Sequence, residues 1–160
     1  MRLLHTSDWH LGQHFMGQSR QAEHAALIEW LLAQVTEHQV DAVLMVGDIF
    51  DTSAPPSYAR TLYHHLIAGL HQAGTALLVL GGNHDAVSVL GESLPLLLHL
   101  NTTVIAATGA PQQHVVTLPR RANGAPGCIV CALPFIRARD VHTSQAGQSA
   151  QDKQQALQSA

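Results

Sequence analysis

Two short apolar runs constrain the fold of this chain more than any other feature of its sequence. They read VDAVLMV at residues 40–46 and ALLVL at residues 76–80, and their apolar residues follow one another instead of alternating with polar ones. Strands of this kind are buried on both faces, as in a parallel sheet that is covered by helices. Further runs of strand length lie at residues 3–4, 102–107, 115–118 and 128–133. The sequence therefore predicts a parallel sheet that contains both apolar runs.

Helical patterns separate the first of these strands. Residues 19–38 have apolar side chains at the spacing of one helix face, namely Ala22, Ala26, Leu27, Trp30, Leu31 and Val35. A second helix is predicted for residues 57–72, after two prolines and before Gly74, and a shorter third helix follows Gly91. Alternating strands and helices predict the opening of a doubly wound α/β fold, with right-handed crossovers and helices on both faces of the sheet.

The later part of the chain has a different pattern. The turn residues RRANGAPG at 120–127 separate two predicted strands and indicate a hairpin. Beyond it, Ser149 is placed to begin a helix as its N-cap residue. Cys128 and Cys131 lie on a predicted strand, where residues three apart point to opposite faces. We interpret them as buried thiols, because a redox pair lies at a helix start and a zinc site needs more ligands.

Composition narrows the classes of function. Charged residues make up 12% of the chain, about half the ~25% of an average soluble domain, which favours layers buried on both sides. The formal charge of −3 gives no basic surface that would indicate nucleic acid by bulk electrostatics. No apolar stretch reaches the ~18 residues that a membrane span requires, and the N-terminus has no signal-peptide core. We therefore expect a cytoplasmic protein that does not enter a membrane.

A polar turn follows each of the first three predicted strands. The turns read HTSDWHLG, VGDIFD and GGNHD, and they recur about every 35 to 40 residues. Because the carboxyl ends of parallel strands meet at one edge of a sheet, we expect the turn residues to converge there. The converging donors are Asp8, His10, Asp48 and Asn83. Oxygen and imidazole donors together suit Mn²⁺, Fe²⁺ or Zn²⁺ better than Mg²⁺.

Each turn taken alone has a simpler interpretation. Asp8 could cap the turn that follows it, and Asp51 could serve as the N-cap of the next segment. The sequence GGNHD is more specific, since two glycines deliver three polar residues at the mouth of an apolar strand. The order of all three turns at successive strand ends is what favours a metal site over turn capping.

The motifs DWH, GDIFD and GNHD, in this order and spacing, resemble the first three motifs of the calcineurin-like metallophosphoesterases. The segments LLHTSDWHLGQ, PPSYARTLY, LNTTV and TSQAG further resemble bacterial DNA nucleases of that family, across essentially the whole chain. The resemblance implies a two-metal hydrolase, usually with manganese, at the sheet edge. Asp8 and His10 would bind the first ion, Asp48 would bridge both, and Asn83 would bind the second. His84 would be the catalytic histidine that faces the scissile phosphate.

Several neighbouring residues allow weaker interpretations. Asp85 is expected to support His84 by holding its second ring nitrogen, although a turn cap would explain it equally well. His5 is expected to pack near the site without ligating metal. Gly81 is expected only to add flexibility to its turn. For the remaining histidines we expect solvated surface positions, and Arg120, Arg121, Arg137 and Arg139 are more typical of solvated loop charges than of phosphate contacts.

The chain also departs from the family pattern. The family's later Gly-His and Gly-His-x-His motifs, whose histidines complete both metal shells, do not occur in these 160 residues. We therefore interpret residues 1–160 as the N-terminal part of one four-layer metallophosphoesterase domain, without its later motifs and its capping domain. By itself this part is expected to bind metal weakly and not to cleave DNA.

The resemblance further implies DNA as substrate, an ATPase partner subunit and a homodimer of the full-length nuclease. Its implied activities are an ATP-dependent 3'-5' exonuclease on double strands and a single-strand endonuclease that opens hairpins. Both would serve recombination and replication. Two alternatives remain open: a phosphomonoesterase or nucleotidase on the same scaffold, and a remnant that binds without catalysis.

Overall fold

The structure is a computed structural model and describes residues 1–137, 140, 151 and 154. The elements follow in the order β1 (Leu3–Ser7), β2 (His14–Phe15), β3 (Gln18–Ser19), α1 (Gln21–Glu37), β4 (Ala42–Val46), α2 (Ser57–Gln72), β5 (Ala76–Leu80), α3 (Val87–Leu90), α4 (Leu94–His99), β6 (Thr102–Ile105), a 3₁₀ helix (Pro111–His114), β7 (Val115–Pro119) and β8 (Pro126–Cys131). All six predicted strands and the bounds of α2 are confirmed. The helix predicted from Ser149 lies outside the described residues.

A four-stranded parallel sheet in the order β1-β4-β5-β6 forms the centre of the fold. The predicted α/β class and parallel sheet are thus confirmed. The predicted distribution of helices is wrong for the described residues, where the helices pack on one face of the sheet and the β7-β8 hairpin covers the other. The strand order never reverses, so right-handed crossovers place every connecting helix on the same side.

Alternate residues of the central strand β4 show how both faces are buried. Val43 and Met45 pack among the helices, while Ala42 and Val46 lie against the hairpin side. The strand β5 is buried at all five positions. This burial on both faces explains why these two strands are almost continuously apolar in the sequence.

The buried face of α1 differs from the predicted one. The helix buries His24, Ile28, Leu31 and Val35. Leu31 and Val35 lie in the core as predicted, but Trp30 is 58% exposed and Leu27 is 38% exposed. A histidine occupies one position of the true apolar stripe, so a neighbouring stripe with the same spacing looked more hydrophobic than the buried one.

Smaller predictions can also be compared with the structure. Gly74 follows α2 with φ of +69°, as expected for the residue that ends a helix. The helix expected after Gly91 is α4, whereas the four-residue α3 before it was missed. Cys128 is half-buried and Cys131 is exposed on β8, so the interpretation of both as buried thiols is wrong. Within the described residues, no helix combines the length and the apolar character that crossing a bilayer demands.

Candidate metal centre

Backbone hydrogen bonds join the polar turns at the carboxyl edge of the sheet. The N–H of Asp8 donates to the carbonyl of Gly47 at 3.2 Å, and the N–H of Gly47 donates to the carbonyl of Leu80 at 2.9 Å. The N–H of His10 donates to the carbonyl of Asp48 at 2.9 Å. The turns after β1, β4 and β5 are therefore held side by side, because they extend the pairing of the strands that precede them.

Three of the predicted donors have left-handed backbone conformations. The φ angles of Asp8, His10 and Asp48 are 57°, 49° and 48°. For a residue with a Cβ atom this conformation costs about 1–2 kcal/mol, and such residues concentrate at functional sites. Each conformation turns the chain abruptly at the end of its strand, and together they bring three side chains to one point.

Asp8, His10 and Asp48 form a cluster with the dimensions of a metal site. One potential ligand atom from each side chain lies within 4.8 Å of the others. Asp8 is exposed, while His10 and Asp48 are half-buried, so the cluster is open to solvent on one side. The buried Nδ1 of His10 has no hydrogen-bond partner in the described part of the chain, although Oδ1 of Asp51 lies 3.3 Å away. The donor set and the unpartnered nitrogen both fit a divalent cation.

Asn83 lies on the opposite rim of the same hollow. The hollow has a volume of about 300 Å³ and is lined by Asp8 and Asp48, by Asn83 and by the later segment Leu133 to Phe135. Asn83 is exposed, whereas the two glycines before it are buried. The four predicted ligands therefore face one region of the sheet edge, as the spacing of the turns indicated.

His84 is fixed beside this cluster by the loop after β4. Its Nδ1 lies 2.8 Å from the carbonyl of Asp51, and its ring meets the ring of His10 edge to face with centroids 5.0 Å apart. The hydrogen bond to the Asp51 carbonyl raises the pKa of His84, and the nearby carboxylates of Asp48 and Asp51 raise it further. Because a carbonyl can only accept, Nδ1 carries a proton and the tautomer is defined.

Asp85 has a different contact from the one expected. Its carboxylate accepts hydrogen bonds from the backbone N–H groups of Ile49 at 3.2 Å, Phe50 at 2.9 Å and Gly82 at 2.8 Å. The side chain is buried, with only 3% of the residue exposed. The expected support of the His84 ring by Asp85 is wrong, since Asp51 holds that ring; the alternative, a turn cap, describes the observed contacts.

The two glycines of GGNHD are required by space. A Cβ atom at Gly82 would lie 2.1 Å from Oδ1 of Asp48, and one at Gly81 would lie 2.7 Å from the carbonyl oxygen of Ala106. The expectation that Gly81 only adds flexibility is therefore wrong. Both glycines allow the third turn to approach its neighbours closely enough to place Asn83 and His84 at the cluster.

Sequence reasoning missed three contributors to the site. Asp51 was considered only as a helix cap, although the motif GDIFD contains it. His114 was expected at the surface but is buried, where its Nδ1 bonds the carbonyl of Ala132 at 2.9 Å and its Nε2 accepts from the N–H of Gly109 at 3.0 Å. Arg137 was expected to be solvated but hydrogen-bonds the third turn. No local pattern marks His114 or Arg137, because their partners are distant in the sequence or are backbone groups.

Other predicted positions lie elsewhere. His5 is an exposed residue of β1 and is not a member of the three-residue cluster. His24 is buried on α1, which lowers the pKa of its imidazole through desolvation. Arg120 and Arg121 line a hollow with Arg2 and Asp41 at the amino edge of the sheet, opposite the cluster. Arg139 lies outside the described residues.

Comparison with known proteins gives consistent results. The profile of the family described as calcineurin-like phosphoesterase matches residues 1–137. The SbcD subunit of the nuclease SbcCD from Escherichia coli K12 is 55% identical over 158 residues, which is 98% of this chain and 38% of that protein. The same subunit is 36% identical in Rhodobacter capsulatus, over 88% of this chain and 36% of that protein. In Bacillus subtilis it is 41% identical, over 60% of this chain and 25% of that protein. The chain thus spans less than two fifths of the length of these relatives.

Proposed function

The chain belongs to the calcineurin-like phosphoesterase family, and from this premise we propose that it forms the N-terminal part of a metal-dependent DNA nuclease. The reaction is hydrolysis of a phosphodiester bond. One observation carries the proposal: the ligand atoms of Asp8, His10 and Asp48 lie within 4.8 Å of one another, and the His84 ring stands next to that of His10. Turn capping alone would not require three unfavourable backbone conformations around a single point.

The proposed cofactor is a pair of divalent ions, most consistent with Mn²⁺. Asp8 and His10 hold the first ion, Asp48 is shared, and Asn83 contributes to the second. When bound, such ions lower the pKa of a water molecule and neutralise charge on the phosphoryl oxygens. The half-buried carboxylate of Asp48 is suited to its shared position, because the N–H of His84 already donates to its Oδ1 at 3.1 Å and restricts its rotation.

His84 is the proposed catalytic residue on the leaving-group side. With Nδ1 bound to the carbonyl of Asp51, the second ring nitrogen, Nε2, is the atom from which a proton passes to the departing sugar oxygen. The raised pKa of His84 favours the protonated imidazole that this step needs. Asp85 takes no direct part, and its buried carboxylate holds the turn that carries His84.

DNA as substrate is supported by the relatives, which are named as components of the nuclease SbcCD. We propose that the full-length protein acts with the ATPase subunit SbcC as an ATP-dependent 3'-5' exonuclease on double strands. It would also act as an endonuclease that opens hairpins, in recombination and replication in the cytoplasm. A homodimer of the nuclease subunit completes the proposed assembly. Residues 1–160 are the N-terminal part of its single nuclease domain.

The set of metal ligands in these residues is incomplete on this proposal. The sequence has no Gly-His and no Gly-His-x-His motif, so the histidines that close the metal shells in the family are missing from residues 1–160. We expect the 160-residue chain to bind Mn²⁺ weakly and not to cleave DNA. Robust manganese-dependent cleavage by this purified chain would contradict that expectation.

A titration of the isotope-labelled chain with Mn²⁺ tests the metal site. Paramagnetic broadening is expected first for the amide signals of the three polar turns, and the variant Asp48→Asn should remove it. Asp41→Asn is the matched control, because Asp41 precedes the same strand β4 at its other end. Equal broadening in both variants, or broadening that begins elsewhere, would refute the assignment.

The substrate is tested with the product of the complete coding sequence. Hairpin DNA, linear duplex DNA and nucleoside monophosphates are offered with Mn²⁺, with and without SbcC and ATP. Cleavage of the DNA substrates supports the nuclease, whereas hydrolysis of the monophosphates alone would indicate a nucleotidase on the same scaffold. A coding sequence that stops after Ala160 would favour a non-catalytic remnant.

A further inference from the structure

The segment that follows β8 reaches back to the turn that carries Asn83 and His84. The N–H of Phe135 donates to the carbonyl of Gly81 at 2.8 Å. Two residues later, Nη2 of Arg137 donates to the carbonyl of Gly82 at 3.1 Å and to the carbonyl of Asp85 at 2.9 Å. Arg137 is the only described arginine that contacts this turn through its side chain in the observed hydrogen bonds.

The two carbonyls that Arg137 binds flank the dipeptide Asn83-His84. A single nitrogen bonded to both fixes the distance between the two ends of the turn. On the other side, the Asp85 carboxylate accepts from the N–H of Gly82 and from two N–H groups after β4. The turn is thus held by backbone contacts on both sides, and its two exposed residues are Asn83 and His84.

The guanidinium is placed for support and not for direct contact with a ligand. Its Nη1 is buried and has no hydrogen-bond partner in the described part of the chain, so this nitrogen is not accessible to a phosphate in solution. Arg137 also lies against the ring of Phe135, with its Cζ 5.7 Å from the ring centroid. The side chain lines the hollow that contains Asn83 and His84 without being one of its exposed groups.

We propose that Arg137 is a positioning residue of the metal centre, which holds the Asn83-His84 turn in the conformation that presents both side chains to the site. The proposal rests on the proposed function for the roles of Asn83 and His84, but the effect on the turn itself does not depend on it. An arginine is suited to this task because its planar group binds two acceptors while remaining charged at all physiological pH values. A lysine offers one ammonium with less defined geometry.

Hydrogen-deuterium exchange of the 160-residue chain tests the proposal. In Arg137→Ala we expect exchange of the amides in residues 81–86 to rise by about tenfold, while exchange in β4 and α2 stays unchanged. Arg60→Ala is the matched control, because Arg60 is an exposed arginine of α2 that pairs with Glu92. Millimolar guanidinium added to Arg137→Ala should restore slow exchange in the turn, and the same concentration of urea should not.

A second measurement links the turn to the metal site. The Mn²⁺ affinity of Arg137→Ala should fall about tenfold and recover with guanidinium, and Arg137→Lys should lie between this variant and the parent chain. If Arg137→Ala does not fold, Arg137→Lys and Arg137→Gln carry both measurements. Unchanged exchange in the turn, or faster exchange throughout the chain without rescue, would overturn the proposal. Failure of the parent chain to bind Mn²⁺ would instead contradict the proposed function, and exchange of the turn would still decide the role of Arg137.

Discussion

Replacing Asp85 by asparagine removes one acceptor from the centre of the site without changing its size. In the parent chain two carboxylate oxygens accept three backbone N–H groups, from Ile49, Phe50 and Gly82. An asparagine can keep its oxygen on Ile49 and Gly82, but its NH₂ group then faces the N–H of Phe50. One buried bond to a charged acceptor is lost, at about 1.5–3 kcal/mol, and the other two lose their charge assistance, at about 1 kcal/mol each. We expect a total destabilisation of about 3–5 kcal/mol, a large part of the ~5–15 kcal/mol of a typical domain.

Urea unfolding at pH 7, followed by circular dichroism, measures this loss for Asp85→Asn. Glu92→Gln is the matched control: it makes the same change from carboxylate to amide in an exposed ion pair with Arg60, and we expect less than about 0.5 kcal/mol there. A destabilisation below about 1 kcal/mol for Asp85→Asn would refute the reasoning, because the three bonds would then contribute no more than solvent-exposed ones.

Three further predictions follow from the described contacts. Gly82→Ala brings a methyl group to 2.1 Å from Oδ1 of Asp48, so Mn²⁺ affinity in titration calorimetry should fall about tenfold or more, whereas Gly17→Ala, with open space around it, should bind as the parent chain does. Hydrogen bonds from the backbone N–H groups of Arg2 and Arg121 lower the pKa of Asp41, so its contribution to stability is present at neutral pH and is lost as the pH falls through that lowered pKa. The stability difference between the parent chain and Asp41→Asn should therefore shrink from pH 7 to pH 3 in urea unfolding, and a difference that grows would contradict this sign. Leu66→Ala creates a cavity at a fully buried position of α2 and should cost about 2–5 kcal/mol by thermal and urea unfolding, while the exposed Leu96→Ala should cost less than about 0.5 kcal/mol.

The strands and the convergence of the polar turns were predictable because both depend on local sequence. An apolar run of strand length shows that a strand is buried, and the carboxyl ends of parallel strands meet at one edge regardless of the rest of the fold. Asp8, His10 and Asp48 follow their strands directly, so their proximity needed no knowledge of side-chain packing. The same logic brought Asn83 to the hollow.

What the sequence could not show depends on contacts between distant backbone groups. Asp85 and Asp51 are both acidic neighbours of the site, and only the structure reveals that a backbone carbonyl of Asp51 holds His84 while Asp85 caps N–H groups. A backbone acceptor has no residue type, so no motif records it. The side of the sheet on which each helix packs follows from the strand order, which apolar spacing does not contain.

The strand order β1-β4-β5-β6 has a consequence for how the site is assembled. Each strand of the central sheet pairs with the one that precedes it in that order, so the sheet can grow at a single edge while the chain leaves the ribosome from its N-terminus. All four candidate ligands have been synthesised by residue 83, yet the guanidinium that holds the third turn comes more than fifty residues later. Residues 1–85 thus contain the donors of the metal centre, and its final geometry must wait until the chain has been translated through Arg137.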